Sequence, residues 1–116
     1  MRSDPALGPL SDIASNIDLA REFLGGLSFD EFQKDTRTSY AVIRCLEIIS
    51  EASRRLPAEL KARHPQIEWS EIAAAGSIYR HAYEIVRNDL IWRTVSERLE
   101  PLHRAIEAEL NRFRNR

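Results

Sequence analysis

Cysteine is almost absent. Cys45 is the only one, so no internal disulfide can hold the chain together. It falls in an apolar helical pattern, where a small buried thiol is the plain expectation, and a reducing cytoplasm is the expected setting. Long hydrophobic runs are missing too. No segment approaches the ~20 apolar residues needed to cross a bilayer, and no basic stretch leads into an apolar one, so neither a membrane span nor a signal peptide is expected. Neither sign of charge dominates: 17 Lys and Arg stand against 18 Asp and Glu, a formal net charge of −1. Proteins that live on phosphate contacts usually carry a basic field, so any contact with nucleic acid must come from a local cluster. No stretch alternates with period two, and no internal repeat or low-complexity tract stands out.

What is present is helical periodicity. The 116 residues, 43% of them hydrophobic and 30% charged, suit one domain with a modest core. Residues 1–9, with Pro5, Gly8 and Pro9, read as an irregular start, and residues 10–116 as a single helical domain. Leu10, Ile13, Ala14, Ile17, Ala20 and Leu24 recur at three- and four-residue spacing, drawing one apolar stripe. Gly25 and Gly26 then end that helix. Ser28 with Glu31 forms a capping box for a short helix anchored by Phe29 and Phe32.

From about Thr36 to Leu56, Val42, Cys45, Leu46, Ile49, Ala52 and Leu56 face one way and Arg44, Glu47, Glu51 and Arg55 the other. A brief helix through Glu59, Leu60 and Arg63 precedes His64-Pro65. Trp69 and Ser70 open a third main helix, Trp69 able to staple it and Ser70 able to cap it. Asn88 is expected to cap the last, whose stripe runs through Ile91, Val95, Leu99, Leu102, Ile106 and Leu110. Pro101 lies inside that stripe and predicts a kink or break. The fold class is therefore all-α: an up-down bundle of four main helices plus short ones.

The stretch GSIYRHAYE, Gly76 to Glu84, gathers the chain's most reactive side chains. Ile72, Ala75, Tyr79, Ala82 and Val86 share one helical face, and His81 projects nearly opposite it. Core packing explains such a histidine poorly. An imidazole titrates near neutral pH and can take a proton from a ribose 2′-hydroxyl, while an arginine such as Arg80 can stabilise charge building on the phosphate. The run from Ala73 to Ser77 is small enough to let another helix approach closely. Trp69, Trp92 and Tyr79 read as core and interface anchors. Only two of the basic residues are lysine, Lys34 and Lys61. Arginine suits phosphate, and Arg80, Arg87, Arg112, Arg114 and Arg116 could together supply a positive patch. Glu100-x-x-His103 has the spacing of one half of a di-iron site, but no second copy exists, so no metal and no cofactor is expected.

The pieces SFDEFQKD, AVIRCLEIISEASRRLP, HPQIEWSEIAAAGSIYRHAYE and VRNDLIWRTVSERLEPL, in that order, resemble the HepT-like family of the HEPN superfamily of helical ribonucleases. The resemblance covers about residues 10 to 110. It implies a HEPN-like helical homodimer with the active cleft at the dimer interface. It also implies a cytoplasmic toxin that cuts RNA without a metal and is neutralised by a small nucleotidyltransferase antitoxin. The family's signature is an arginine, a neighbouring polar residue, then His-x-Tyr. His81 and Tyr83 match the last two elements, His81 as acid or base and Tyr83 as a possible acceptor of AMP. Gly76 stands at the arginine position and Ser77 at the polar one, with Arg80 the nearest arginine. Glu51 corresponds to the glutamate of a Gly-Glu-Ala step in which Ser50 replaces the glycine. Ser77, Glu51 and Arg87 are the expected cleft-lining residues. The missing arginine supports an alternative: a catalytically weakened helical module that dimerises and binds the nucleotidyltransferase.

Overall fold

In a computed structural model the backbone is described for residues 4–81 and 84–115, and the side chains for all of these except residues 80–86. The first helix, α1 (Leu7–Leu24), starts earlier than its apolar stripe suggests. Pro9 and Gly8 sit in its first turn, where backbone N–H groups have no helical partner and a proline costs little. Leu10, Ile13, Ile17 and Ala20 are wholly buried. Gly25 then takes a φ of 55°, which glycine adopts without a Cβ penalty, and its N–H bonds the carbonyl of Arg21.

The capping box forms as expected at α2 (Phe29–Lys34): the Ser28 hydroxyl accepts from the Glu31 N–H, and the Glu31 carboxylate accepts from the Ser28 N–H. That second bond favours the ionised acid and lowers the pKa of Glu31. Asp35 ends α2 and caps α3 (Thr36–Arg54) by accepting from the Thr38 N–H, a joint that the apolar pattern does not announce. Val42, Cys45, Leu46, Ile49 and Ala52 face the core from α3, and burial pushes the Cys45 thiol pKa up.

Pro57 is extended and opens α4 (Ala58–Ala62). The Trp69 indole N–H reaches the carbonyls of Lys61 and His64, fastening the α4 loop to the start of α5 (Trp69–His81). Ser70 therefore lies inside the first turn of α5, not at its cap.

The chain continues through α6 (Glu84–Arg93), a π-helical turn (Thr94–Arg98) and α7 (Leu99–Arg114). Asn88 is no cap. It is buried within α6, and its side-chain oxygen accepts the Ser39 hydroxyl of α3 at 3.0 Å. The expected break at Pro101 is present but begins upstream. Proline lacks an N–H and crowds the carbonyl four residues back. A wider turn just before it, in which the Leu99 N–H bonds the Thr94 carbonyl, relieves that crowding.

Helix α3 is central, packed against α1 and α5, while α7 packs on α1. This is the all-α up-down bundle, with the long helices α1, α3 and α7, the successive helices α5 and α6, and the short α2 and α4. No strand occurs among the described residues. The described part is elongated, 47 × 25 × 24 Å.

Candidate functional site

Helices α3 and α5 meet where α5 has no side chain. A Cβ built on Gly76 would stand 3.0 Å from the Ser50 Oγ and 3.2 Å from its Cβ. The Ser50 hydroxyl donates to the Ala73 carbonyl at 2.9 Å and accepts the Gly76 N–H at 3.3 Å, so it is held in place from both sides. Arg54 reaches across to the same Ala73 carbonyl through Nε (3.1 Å) and Nη2 (2.6 Å). The close approach expected of the small run is thus to α3, and it is zipped by polar bonds as well as contact.

Twelve residues on from Gly76, the Ser39–Asn88 bond fixes the other end of this antiparallel pairing. Between the two contacts lies the segment that carries the expected catalytic groups. Ser77 is exposed on α5, and Glu51 is exposed on α3 with Arg54 at 3.8 Å. Arg87 is half-buried on α6, its guanidinium carbon 5.9 Å from the centre of the Tyr40 ring. The Arg87 Nε is buried without a hydrogen-bond acceptor among the described residues. The side chains of Arg80 and His81, and Tyr83 altogether, lie outside the described residues.

The aromatic anchors are core groups. Trp92 packs against Phe29 and Phe32 at centroid distances of 5.5 and 5.8 Å. Tyr79 is buried with its hydroxyl 3.2 Å from the Thr94 Oγ1, and Thr94 in turn bonds the Leu90 carbonyl. Burial raises the pKa of Tyr79, which stays a neutral phenol near pH 7.

A profile of the family described as Ribonuclease HepT-like matches residues 13–109. The chain belongs to this family. Its HepT-like relatives include a protein named probable ribonuclease HepT from Thermococcus cleftensis, 43% identical over 93 residues, covering 80% of this chain and 84% of the relative. A putative RNase of Caldanaerobacter subterraneus is 32% identical over 103 residues, covering 89% and 92%. One from Methanocaldococcus jannaschii is 37% identical over 86 residues, covering 74% and 71%. No solved structure matches the chain.

Within this HepT-like domain, the two departures from the family's expected pattern, Ser50 for glycine and Gly76 for arginine, prove to be one contact. The spacing of sequence motifs could not reveal that. Arg112 stands 3.7 Å from Glu109 and Arg114 the same distance from Glu107, on the part of α7 beside the α4 loop.

Glu109 is the centre of a network that sequence reasoning missed. It is buried, takes two hydrogen bonds from Arg63 (2.6 and 3.2 Å), and lies 2.6 Å from the His64 Nε2. The Arg63 bonds hold its pKa below the usual carboxylate value. Glu100 and His103 turn to separate partners, Glu100 to Arg21 at 2.7 Å and His103 to Glu107 at 3.7 Å. No group of three metal-ligating side chains occurs among the described residues.

A concavity of about 490 Å³ lies between α5, the π turn and α7, floored by Ile49, Ile72, Leu99 and Leu102 and rimmed by Glu68, Glu71, Glu97 and Arg98. A hydrogen bond to Glu68 raises the Glu71 pKa, as expected where two carboxylates meet. Such a rim repels a phosphate chain. Among the described residues no helix is long and apolar enough to cross a membrane.

Proposed function

We propose that this HepT-like protein is a metal-independent endoribonuclease, the toxin of a toxin–antitoxin pair. It acts in the cytoplasm as a homodimer whose cleft lies at the dimer interface, and a nucleotidyltransferase antitoxin neutralises it. The observation that carries the reading is the family match over residues 13–109, which contains His81-x-Tyr83 in full. The names of its relatives, ribonuclease and putative RNase, support it. Residues 10–116 form the single working domain.

In the proposed reaction His81 takes the proton of a ribose 2′-hydroxyl, and the 2′-oxygen attacks the adjacent phosphorus. The phosphorus–5′-oxygen bond breaks, leaving a 2′,3′-cyclic phosphate and a 5′-hydroxyl that receives a proton. Arg80 supplies positive charge to the phosphate oxygens, with Ser77, Glu51 and Arg87 lining the cleft. Tyr83 is the residue that the antitoxin modifies with AMP. Purified protein incubated with transfer RNA tests the reading. We expect cleavage that survives EDTA and is lost in His81→Ala, as general acid–base catalysis is worth about 100- to 10,000-fold. Undiminished cutting by His81→Ala would remove His81 from its role.

One observation favours a second reading. A Cβ at Gly76 would press on the Ser50 side chain at 3.0–3.2 Å, so the family's arginine would fit its usual place only if Ser50 gave way. On that reading the chain is a weakened catalyst whose main task is to dimerise and hold the nucleotidyltransferase. Little or no cleavage by the isolated protein, with a stable complex to the antitoxin, supports it.

A further inference from the structure

We infer that Tyr40, together with Arg37, Arg44 and Arg87, forms a stacking platform for an unpaired base of single-stranded RNA, beside the segment that carries His81. Only the class of ligand rests on the ribonuclease reading. The platform itself rests on geometry that this reading does not use.

Arg37, Tyr40 and Arg44 are exposed at three- and four-residue spacing on α3, so they lie within ~60° of one another along ~10 Å of helix. Tyr40 is 62% exposed, the most open large ring or aliphatic side chain among the described residues. It is not loose. The Arg87 guanidinium of α6 lies over it at 5.9 Å, bracing the ring between two helices and leaving it open to solvent. A phenol held in this way offers stacking area without the entropy of ordering it on binding.

The electrostatics favour a polyanion over a protein partner. Among the described residues neither Arg37, Arg44 nor Arg87 belongs to a salt bridge, and the buried Arg87 Nε has no acceptor there. Of the acids nearby, Asp35 receives the Thr38 N–H and also feels the charge of Arg37, and Asp89 holds Arg93 at 2.9 Å. Two exposed guanidinium groups on α3, Arg37 and Arg44, and the half-buried Arg87 beside one exposed ring are the combination that single-stranded nucleic acid uses, backbone on the cations and base on the π-face. A base inside a duplex has no face to give, so the platform selects unpaired nucleotides.

Location gives the platform a purpose. The Gly76–Ser50 and Asn88–Ser39 contacts bracket the pairing of α5 and α6 with α3, and Tyr40–Arg87 adjoins the second of them. A strand stacked on Tyr40 therefore lies beside the stretch of α5 and α6 that holds His81. Tyr40 is a positioning residue here: it fixes which phosphodiester is presented.

The test uses the full chain and a fluorescent single-stranded 12-nucleotide RNA carrying 2′-O-methyl groups. Such a strand cannot be cut, so binding is read separately from cleavage. Tyr40→Ala should weaken binding roughly five- to 150-fold, and Tyr40→Phe should retain it. Arg37→Ala and Arg44→Ala should each lower the slope of log affinity against log salt by about 0.7. A duplex of the same sequence should show no dependence on Tyr40.

Binding unchanged in Tyr40→Ala overturns the platform, as does an equal loss in Tyr40→Phe, which would assign the effect to the hydroxyl. Loss of binding together with loss of the dimer on a sizing column also overturns it, making this face a protein contact. Tyr40-dependent binding by a protein that cuts no unmodified RNA sustains the platform while the nuclease reading falls. Full cleavage by Tyr40→Ala, with an unchanged cutting pattern and unchanged binding, does the reverse.

Discussion

Gly76 and Ser50 show how much one residue pair decides. An arginine introduced at position 76 alone must leave its helix from between α3 and α5, against a serine held by the Ala73 carbonyl. Overpacking of this kind costs about 1–3 kcal/mol. The single change Gly76→Arg should therefore lower the melting temperature. The pair Ser50→Gly with Gly76→Arg should recover much of that loss, and if the chain is a weakened catalyst its RNA cleavage should rise above wild type. A double variant no more stable than Gly76→Arg alone would dissolve the coupling. The gap at Gly76 was legible in the sequence because a motif has fixed spacing. Its reciprocal partner, 26 residues away, was not, since register between two helices is set by packing and leaves no periodic trace.

The same blindness hid Glu109. A glutamate within an apolar stripe reads as an interruption, and only the fold brings Arg63 and His64 to it. Because Arg63 holds the folded-state pKa below its ordinary value of 4.5, the ionised acid stabilises the fold fully above that value. The contribution is lost as pH falls from there through the depressed value. Glu109→Gln should thus remove part of the acid sensitivity of unfolding below about pH 4.5 while lowering stability at neutral pH. Arg63→Ala, which strips the buried carboxylate of its main partner, should cost about 1–3 kcal/mol in urea titrations at neutral pH. Parallel acid profiles for wild type and Glu109→Gln would speak against the assignment.

At the scale of elements the sequence was most readable where one face meets one core. The stripes of α1, α3 and α7 and the capping box of α2 all follow from spacing and local hydrogen bonds, which need no knowledge of the rest of the chain. Asn88 was misread because its residue type suits a helix cap, whereas its oxygen serves a buried bond to α3. The π turn escaped notice for a related reason: Pro101 signals trouble in a helix without saying how the chain absorbs it. Phe32 carries the joint between α2 and α6, wholly buried and tilted against Trp92. Phe32→Ala should destabilise the protein by about 3–5 kcal/mol. Ser28→Ala, which removes only the cap, should cost about 1 kcal/mol. Chemical denaturation of the two variants side by side should keep that order.

For the whole molecule the question is which surface the proposed homodimer covers. A protomer that pairs stably must offer apolar area to its copy, and interface cores are depleted of charge. Among the described residues the exposed large apolar side chains are Leu7, Leu19 and Phe23 of α1, Tyr40 of α3 and Ile78 of α5. Those of α1 are remote in sequence from the His81 segment. Ile78, 48% exposed beside the exposed Ser77, stands three residues from His81. If the cleft lies between two copies, Ile78 belongs to the covered surface and the α1 residues do not. Ile78→Glu should then convert the protein to a species of one chain, 13.4 kDa, and abolish cleavage with it, because burying an unpaired carboxylate is costly. Phe23→Glu should leave both the oligomer and the activity intact. Light scattering on the two variants decides the point: a monomeric Phe23→Glu beside a dimeric Ile78→Glu would move the interface to α1 and take the cleft out of it.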